Sequence, residues 1–291
     1  MTLKKAYINL CIAIMLITLN IMLYALDVSR LTISWTTTIF WIATVLAVVF
    51  IGLSIYTFIK DKKKLHIETT IDEQSIDEAS DMDFFREQIQ KNRHRHIILD
   101  WLSFLGLSLM FILMLFMYFI LPTNVEGSSM KSTLLDGERV LMYHFNYQPK
   151  RNDVVIVHIT DRYLDTTGRQ VNTSSEYDDQ SQVYFVKRVV AIPGDTVTFE
   201  EIGTSDNYHI VINGEVYQNQ YFQIYQVDDA GRLKMLSYLD ENNQLRANQY
   251  FAFGDNESFS YDSRNIGAIH EDDMIGKAIY KLLPLGGISH G

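Results

Sequence analysis

The 291-residue sequence predicts three N-terminal transmembrane α-helices followed by a mainly antiparallel β domain. Three observations lead there. Long apolar runs are confined to the first 121 residues. Beyond them, apolar stretches of strand length alternate with turn residues. Two of these stretches flank Asn213-Gly214, a strong short-range hairpin signal.

The apolar runs cover roughly 6–26, 31–58 and 97–121. Each holds about 20 or more mainly apolar residues, enough to cross a ~30 Å hydrocarbon layer at 1.5 Å per residue. Three such runs do not fit the buried helices of a soluble protein. Asp100 lies near the start of the third, where it can sit at the interface. Lys4 and Lys5 precede the first run as in a signal peptide. Its apolar core is too long for one, however, and no small-x-small cleavage site follows, so a retained anchor is expected.

Charge sets the expected orientation. Lys4 and Lys5, then Lys60 and Lys62–Lys64, then Lys91, Arg93 and Arg95 all fall on one side if every run crosses. Basic residues mark the cytoplasmic side. The N-terminus is then cytoplasmic, Asp27–Arg30 faces out, and everything after Leu121 is extracytoplasmic. The chain divides into a membrane anchor, 1–121, with a cytoplasmic connector at 59–96, and an outer β domain, 122–291. The acidic, then basic, part of the connector suits a short surface helix and a loop equally. The net charge of −10 argues against a nucleic-acid partner. Cys11, the single cysteine, falls in the first run, so the outer domain must rely on a packed core rather than a disulfide.

In the outer domain, strands are expected at Arg139–His144, Val154–Ile159, Gln182–Ile192, Tyr208–Ile212, Glu215–Tyr217, Tyr221–Tyr225, Leu233–Leu239 and Gln249–Phe253. Residues at about 200–248 read as an inserted lobe.

Ser129 lies eight residues past Leu121, within roughly 26–29 Å of the end of the third run. Chemistry at that hydroxyl would take place near a membrane surface. A serine nucleophile needs a base. His144, His158, His209, His270 and His290 sit in no motif that suggests a Ser-His-Asp set. His94 and His96 flank the third run without companion ligands and read as interfacial basic residues rather than metal ligands. A lysine serves as base only when neutral, so its pKa must fall from ~10.4, as burial against apolar groups makes it do. Lys187 has such a setting, with Phe185, Val186, Val189 and Val190 around it. On a strand, Phe185, Lys187 and Val189 share a face. Taken alone, a strand lysine is more often a surface residue.

Four blocks read together change that. They are Gly127-Ser128-Ser129-Met130-Lys131-Ser132-Thr133-Leu134, Arg151-Asn152-Asp153-Val154-Val155, the run Lys187 to Asp195 (KRVVAIPGD), and Gly254 to Gly267 (GDNESFSYDSRNIG). In this order after a membrane anchor, they resemble the type I signal peptidases, Gram-positive-like branch, over most of 122–281. These are membrane-bound proteases with a Ser/Lys dyad and a β-rich catalytic domain.

The resemblance implies Ser129 as nucleophile and Lys187 as general base, with Ser260 hydrogen-bonding and orienting the lysine. It implies bracing ion pairs Asp262–Arg264 and Arg188–Asp255. Val125, Met130, Leu134, Phe185 and Val186 would line subsites for small residues, and the Ser129 N–H would be the oxyanion donor. It implies no metal or other cofactor. It further implies cleavage of secreted preproteins after Ala-x-Ala-like sites, at a bacterial cell membrane, in contact with lipid and close to the secretion translocon. Some members carry a serine hydroxyl donor where this chain has Gly127. Two further departures are Ser132, in place of the usual proline, and Glu257, in place of a common arginine. The three-span anchor leaves room for a specialised paralogue serving pilus or biofilm clients. A non-catalytic peptide-binding assembly factor on the same fold is a further alternative.

Overall fold

The computed structural model describes residues 3–26, 34–71, 80–171, 183–283 and 285–288. The expected outward connection Asp27–Arg30, residues 72–79 of the connector, Gln182 and His290 lie outside the described residues. The chain divides into two compact units, and among the described residues the division falls between Tyr118 and Phe119.

The first unit contains α1 (Leu3–Ala25), α2 (Ser34–Ile71) and α3 (Ser80–Tyr118). All three are long and apolar enough to cross a membrane. Their outward faces are as apolar as their contacts. Ile14, Met15, Trp41, Ile42, Trp101 and Phe104 are exposed, while Ala13, Phe40, Ala47 and Met110 are buried between helices. A helix apolar all round suits a membrane span. Gly106 lets α3 approach α2 closely, because a Cβ there would lie 3.0 Å from the Ala47 methyl. Such small-residue contacts replace the hydrophobic effect that lipid cannot supply.

The helices do not stop where the apolar runs do. α2 continues through the lysine cluster to Ile71, and α3 begins at Ser80. The described ends of the connector are therefore helical. The third helix ends at Tyr118 rather than Leu121, since Pro122 disfavours helical geometry at the residue before it.

The second unit is a set of antiparallel strands, with bounds as follows. β1 is Ile120–Asn124, β2 Arg139–Tyr143, β3 Val154–Ile159, β4 Val183–Ala191, β5 Val197–Glu201, β6 Asn207–Ile212, β7 Glu215–Val216 and β8 Gln226–Asp228. Helix α4 (Asp229–Leu236) and β9 (Gln249–Phe253) follow, then α5 (Ser263–Ile266), β10 (Ile269–His270), β11 (Met274–Leu283) and β12 (Gly286–Gly287). Among the described residues, the main sheet runs β1-β2-β11-β3-β4-β9-β10, with β12 beside β11. A smaller sheet, β5-β6-β7 with β8 also on β6, is inserted between β4 and β9. The Asn213-Gly214 turn joins β6 to β7, with both residues at positive φ as that hairpin requires.

Two strand expectations are corrected. Leu233–Leu239 falls largely in α4, capped by the Asp228 carboxylate, which accepts from the Gly231 N–H. Tyr221–Tyr225 is a loop with one isolated bridge, Gln218 to Ile224, and Phe222 at φ 61° breaks any strand there. The strands β1, β5, β8, β10, β11 and β12 lie outside the expected strand segments.

Among the described residues, three apolar clusters hold this unit. One lies under β3, β4 and β9 around Val155, Val157, Val189 and Ala252. A second ties the inserted lobe to the sheet through Val190, Ile210, Tyr225, Phe251 and Phe253. The third buries Val125, Met130 and Leu134 against Val140, Val154 and Ile156. That last cluster fixes the segment carrying Ser129.

Candidate active site

Ser129 occupies a compact turn between Val125 and Leu134. Met130 and Leu134, four residues apart, are 1% and 0% exposed and pin the turn from beneath. Thr133 N–H and Leu134 N–H both donate to the Met130 carbonyl. Ser129, next to the buried Met130, stays at the rim, half-buried. Gly127, at φ 88°, opens the turn and donates its N–H to Asp136 Oδ1.

Lys187 arrives on β4, on the face that also carries Phe185 and Val189. It is 3% exposed, and its Nζ donates to Ser129 Oγ at 2.8 Å. The Nζ also lies 5.1 Å from the centre of the Phe185 ring. Burial pulls the Lys187 pKa down to about 8. Asp262 works against that pull, Arg264 adds to it, and Asp255 opposes it. A lysine in this range can lose its proton near neutral pH and then accept one from the hydroxyl it touches.

Both expected ion pairs are present. Arg188 forks onto Asp255, Nε to Oδ1 at 2.8 Å and Nη2 to Oδ2 at 2.7 Å, with both side chains buried. Its Nη1 also donates to the Asn152 carbonyl at 2.9 Å. Arg264 forks onto Asp262 at 3.0 Å through both Nε and Nη2. Asp262 caps α5 as well, accepting from the Arg264 N–H.

Glu257 finds a use here. It lies 2.8 Å from Arg264 Nη1, so the guanidinium is held by two carboxylates. An arginine at 257 would face Arg264 as a like charge in this geometry.

Ser260 lies in the same excursion between β9 and β10 as Asp262 and Arg264. Its Oγ accepts from the Gly254 N–H at 3.1 Å, and among the described residues no hydrogen bond joins it to Lys187. The bond secures a close approach. A Cβ at Gly254 would collide with Ser260 Oγ and with the Ser129 carbonyl, so the chain can pass there only as glycine. Next along, the Asn256 N–H donates to the Ser129 carbonyl at 2.9 Å and its side-chain amide to the Ser128 carbonyl at 2.9 Å.

Of the five residues expected to line subsites, Val125, Met130 and Leu134 are core residues, and only Phe185 and Val186 are half-exposed. Met130 also accepts the Asp255 N–H on its sulfur at 3.4 Å. Tyr261 meets Phe185 edge-on at 6.5 Å and extends the aromatic wall beside Lys187. β9 pairs with β4 only from Arg188 onward, so among the described residues no strand covers that edge of Val183–Lys187. The Ser129 N–H has no acceptor among the described residues.

Sequence reasoning missed several contributors. Thr133 and Gly254 lie inside the quoted blocks, but no role was assigned to them. The Thr133 hydroxyl gives its proton to Asp255 and accepts from Arg188 Nη2 at 3.2 Å and Gln220 Nε2 at 3.1 Å. That uses its whole bonding capacity. Gln220 and its neighbours in the lobe belong to none of the four blocks.

A family model described as "Signal peptidase, peptidase S26" matches residues 98–283. Signal peptidase IB of Staphylococcus aureus (strain COL) is 27% identical over 204 residues, covering 66% of this chain and 93% of that protein. Signal peptidase I P of Bacillus subtilis subsp. natto is 25% identical over 205 residues, covering 69% and 97%. A solved signal peptidase I from Enterococcus faecalis V583 aligns with 45% of this chain and 97% of that chain, at 20% identity and a TM-score of 0.26.

Proposed function

The chain belongs to the signal peptidase family, peptidase S26, whose members are serine endopeptidases, and on that premise we propose that it removes N-terminal signal peptides from secreted preproteins after Ala-x-Ala-like sites. Ser129 is the nucleophile and Lys187 the general base. The observation that carries this reading is the 2.8 Å contact between Lys187 Nζ and Ser129 Oγ, made by a buried lysine whose pKa falls to about 8.

Neutral Lys187 takes the Ser129 proton as Oγ attacks the scissile carbonyl. The Ser129 N–H, which has no acceptor among the described residues, stabilises the oxyanion. The protonated lysine passes its proton to the leaving amine, and an acyl-enzyme remains. Neutral again, Lys187 takes a proton from water as the hydroxide attacks the ester carbonyl, and it returns that proton to Ser129 Oγ as the acyl–oxygen bond breaks, which frees the carboxylate product and restores the dyad. The open edge of β4 supports binding of the substrate as an added strand, backbone bonds giving affinity and side-chain pockets giving selection. Phe185, Val186 and Tyr261 limit the space beside Lys187 and so favour small residues. Val125, Met130 and Leu134 act from beneath, by fixing the position of Ser129.

The three apolar helices anchor the enzyme. The basic clusters favour a cytoplasmic N-terminus and an extracytoplasmic β unit, where a translocated chain leaves the bilayer close to the translocon. The test is cleavage of a model preprotein by the full chain in lipid vesicles, with the cut located by mass spectrometry. A single cut after a small-x-small site is expected. Intact precursor, or a cut elsewhere that ignores an Ala-to-bulky change at the site, contradicts the reading.

A further inference from the structure

The loop Tyr217–Tyr225 of the inserted lobe reaches the turn that carries Ser129, and the dyad chemistry makes no use of it. The Tyr221 hydroxyl donates to the Ser132 carbonyl at 2.6 Å and lies 3.1 Å from Thr133 Oγ1. Gln220 donates to the same Thr133 oxygen. The Tyr225 hydroxyl donates to the Gly254 carbonyl at 2.6 Å.

Asn219 organises the loop. It is 5% exposed, and its Oδ1 accepts from the N–H groups of Tyr221 and Gln223 at 2.9 and 3.0 Å. Its amide donates to Gln223 Oε1, to the Tyr225 hydroxyl and, at 3.3 Å, to the Asp255 carbonyl. At the apex, Phe222 sits at φ 61° and is 81% exposed. A bulky residue in the left-handed region costs energy and persists only where its surroundings over-determine it. The loop is therefore held in one shape by its bonds to the turn and to Gly254-Asp255.

We propose that Tyr221 is a positioning residue for cleavage: its hydroxyl tethers the Ser132 carbonyl and thereby holds Ser129 against Lys187. This rests on the function proposed above. Two features argue for a tether rather than a packing role. Ser132 lacks the ring by which a proline would fix φ, so the Tyr221 hydroxyl adds a restraint on this turn beside the Ser132 Oγ bond to the Asp255 carbonyl. Tyr221 is 42% exposed, so its ring fills no core space that the protein needs. Displacing a reacting group by about 1 Å can cost on the order of 100-fold in rate.

The experiment compares the full chain with Tyr221→Phe, Asn219→Ala and the double variant on a peptide substrate. Circular dichroism gives the folded fraction at the assay temperature, and rates are expressed per folded molecule. Tyr221→Phe is expected to lower kcat about tenfold and leave KM within twofold. Asn219→Ala should do the same. The double variant should fall no further than the worse single one, because both act through one loop. Amide exchange of the peptide spanning 127–135 should speed up in each. An active parent whose Tyr221→Phe variant keeps kcat within twofold, or whose two losses multiply, overturns the tether alone. A parent that does not cleave overturns the proposed function and the tether with it.

Discussion

Lys187→Arg is expected to abolish preprotein cleavage as completely as Ser129→Ala, each lowering kcat by about 10⁴-fold or more. The comparison separates two roles for the lysine. Arginine keeps the positive charge and stays protonated at every working pH, so it can assist an anion but cannot accept a proton. If Lys187 served only as a cation near the oxyanion, arginine would retain much of the activity. As a base it must be neutral, and its 3% exposure is what makes neutrality accessible. Ser129→Ala removes the attacking oxygen and leaves the turn intact, since Met130, Leu134 and the Asn256 bonds hold it without the hydroxyl. Both variants should fold and stay in the membrane. Peptide cleavage alongside a membrane-fraction blot checks all three points.

Asp255→Ala is the second large effect, and it falls on stability first. It leaves the Arg188 guanidinium, 2% exposed, without its carboxylate, and it takes the proton acceptor from Thr133. Removing one partner of a buried pair costs about 3–5 kcal/mol, because the remaining charge is stranded away from water. In a β unit of this size that corresponds to a melting point lower by roughly 6–20 °C. Cleavage per folded molecule should fall too, since Asp255 and Thr133 brace the turn beneath Ser129. Thermal melts followed by near-ultraviolet circular dichroism read the first effect. Unchanged melting would contradict the bracing role of the pair.

The proposed dyad and both ion pairs were legible only through the resemblance of four blocks read together, since Ser129 and Lys187 are 58 residues apart and Arg188 and Asp255 are 67 apart. Lys187 and Arg188 sit on one strand, and Asp255, Asp262 and Arg264 in one excursion between β9 and β10. The three apolar helices were legible for a different reason. Hydropathy reports the thickness of a bilayer, so it found the spans. It could not find the helix ends, because Lys60–Ile71 and Ser80–His96 extend their helices through polar residues that favour helix as readily as apolar ones do. At Leu233–Leu239 the apolar content suggests a strand, whereas most of the segment lies in α4, whose N-cap Asp228 lies upstream of that run. Ser260 matches its motif by residue type, while the bond its hydroxyl accepts from the Gly254 N–H is a matter of geometry. Tyr221 was beyond reach altogether: its partner Ser132 is 89 residues away, and only the folded lobe brings them together.

The pH dependence of kcat/KM tests the Ser129–Lys187 assignment most directly. The base must be unprotonated, and its pKa is about 8, so activity is full above that value and is lost as pH falls through it. With a peptide that does not itself titrate in this range, the profile should rise about tenfold per pH unit from pH 5 and level off near 8. A profile flat across this range, or one levelling near the ~6.5 of an ordinary histidine, would contradict a lysine base at position 187.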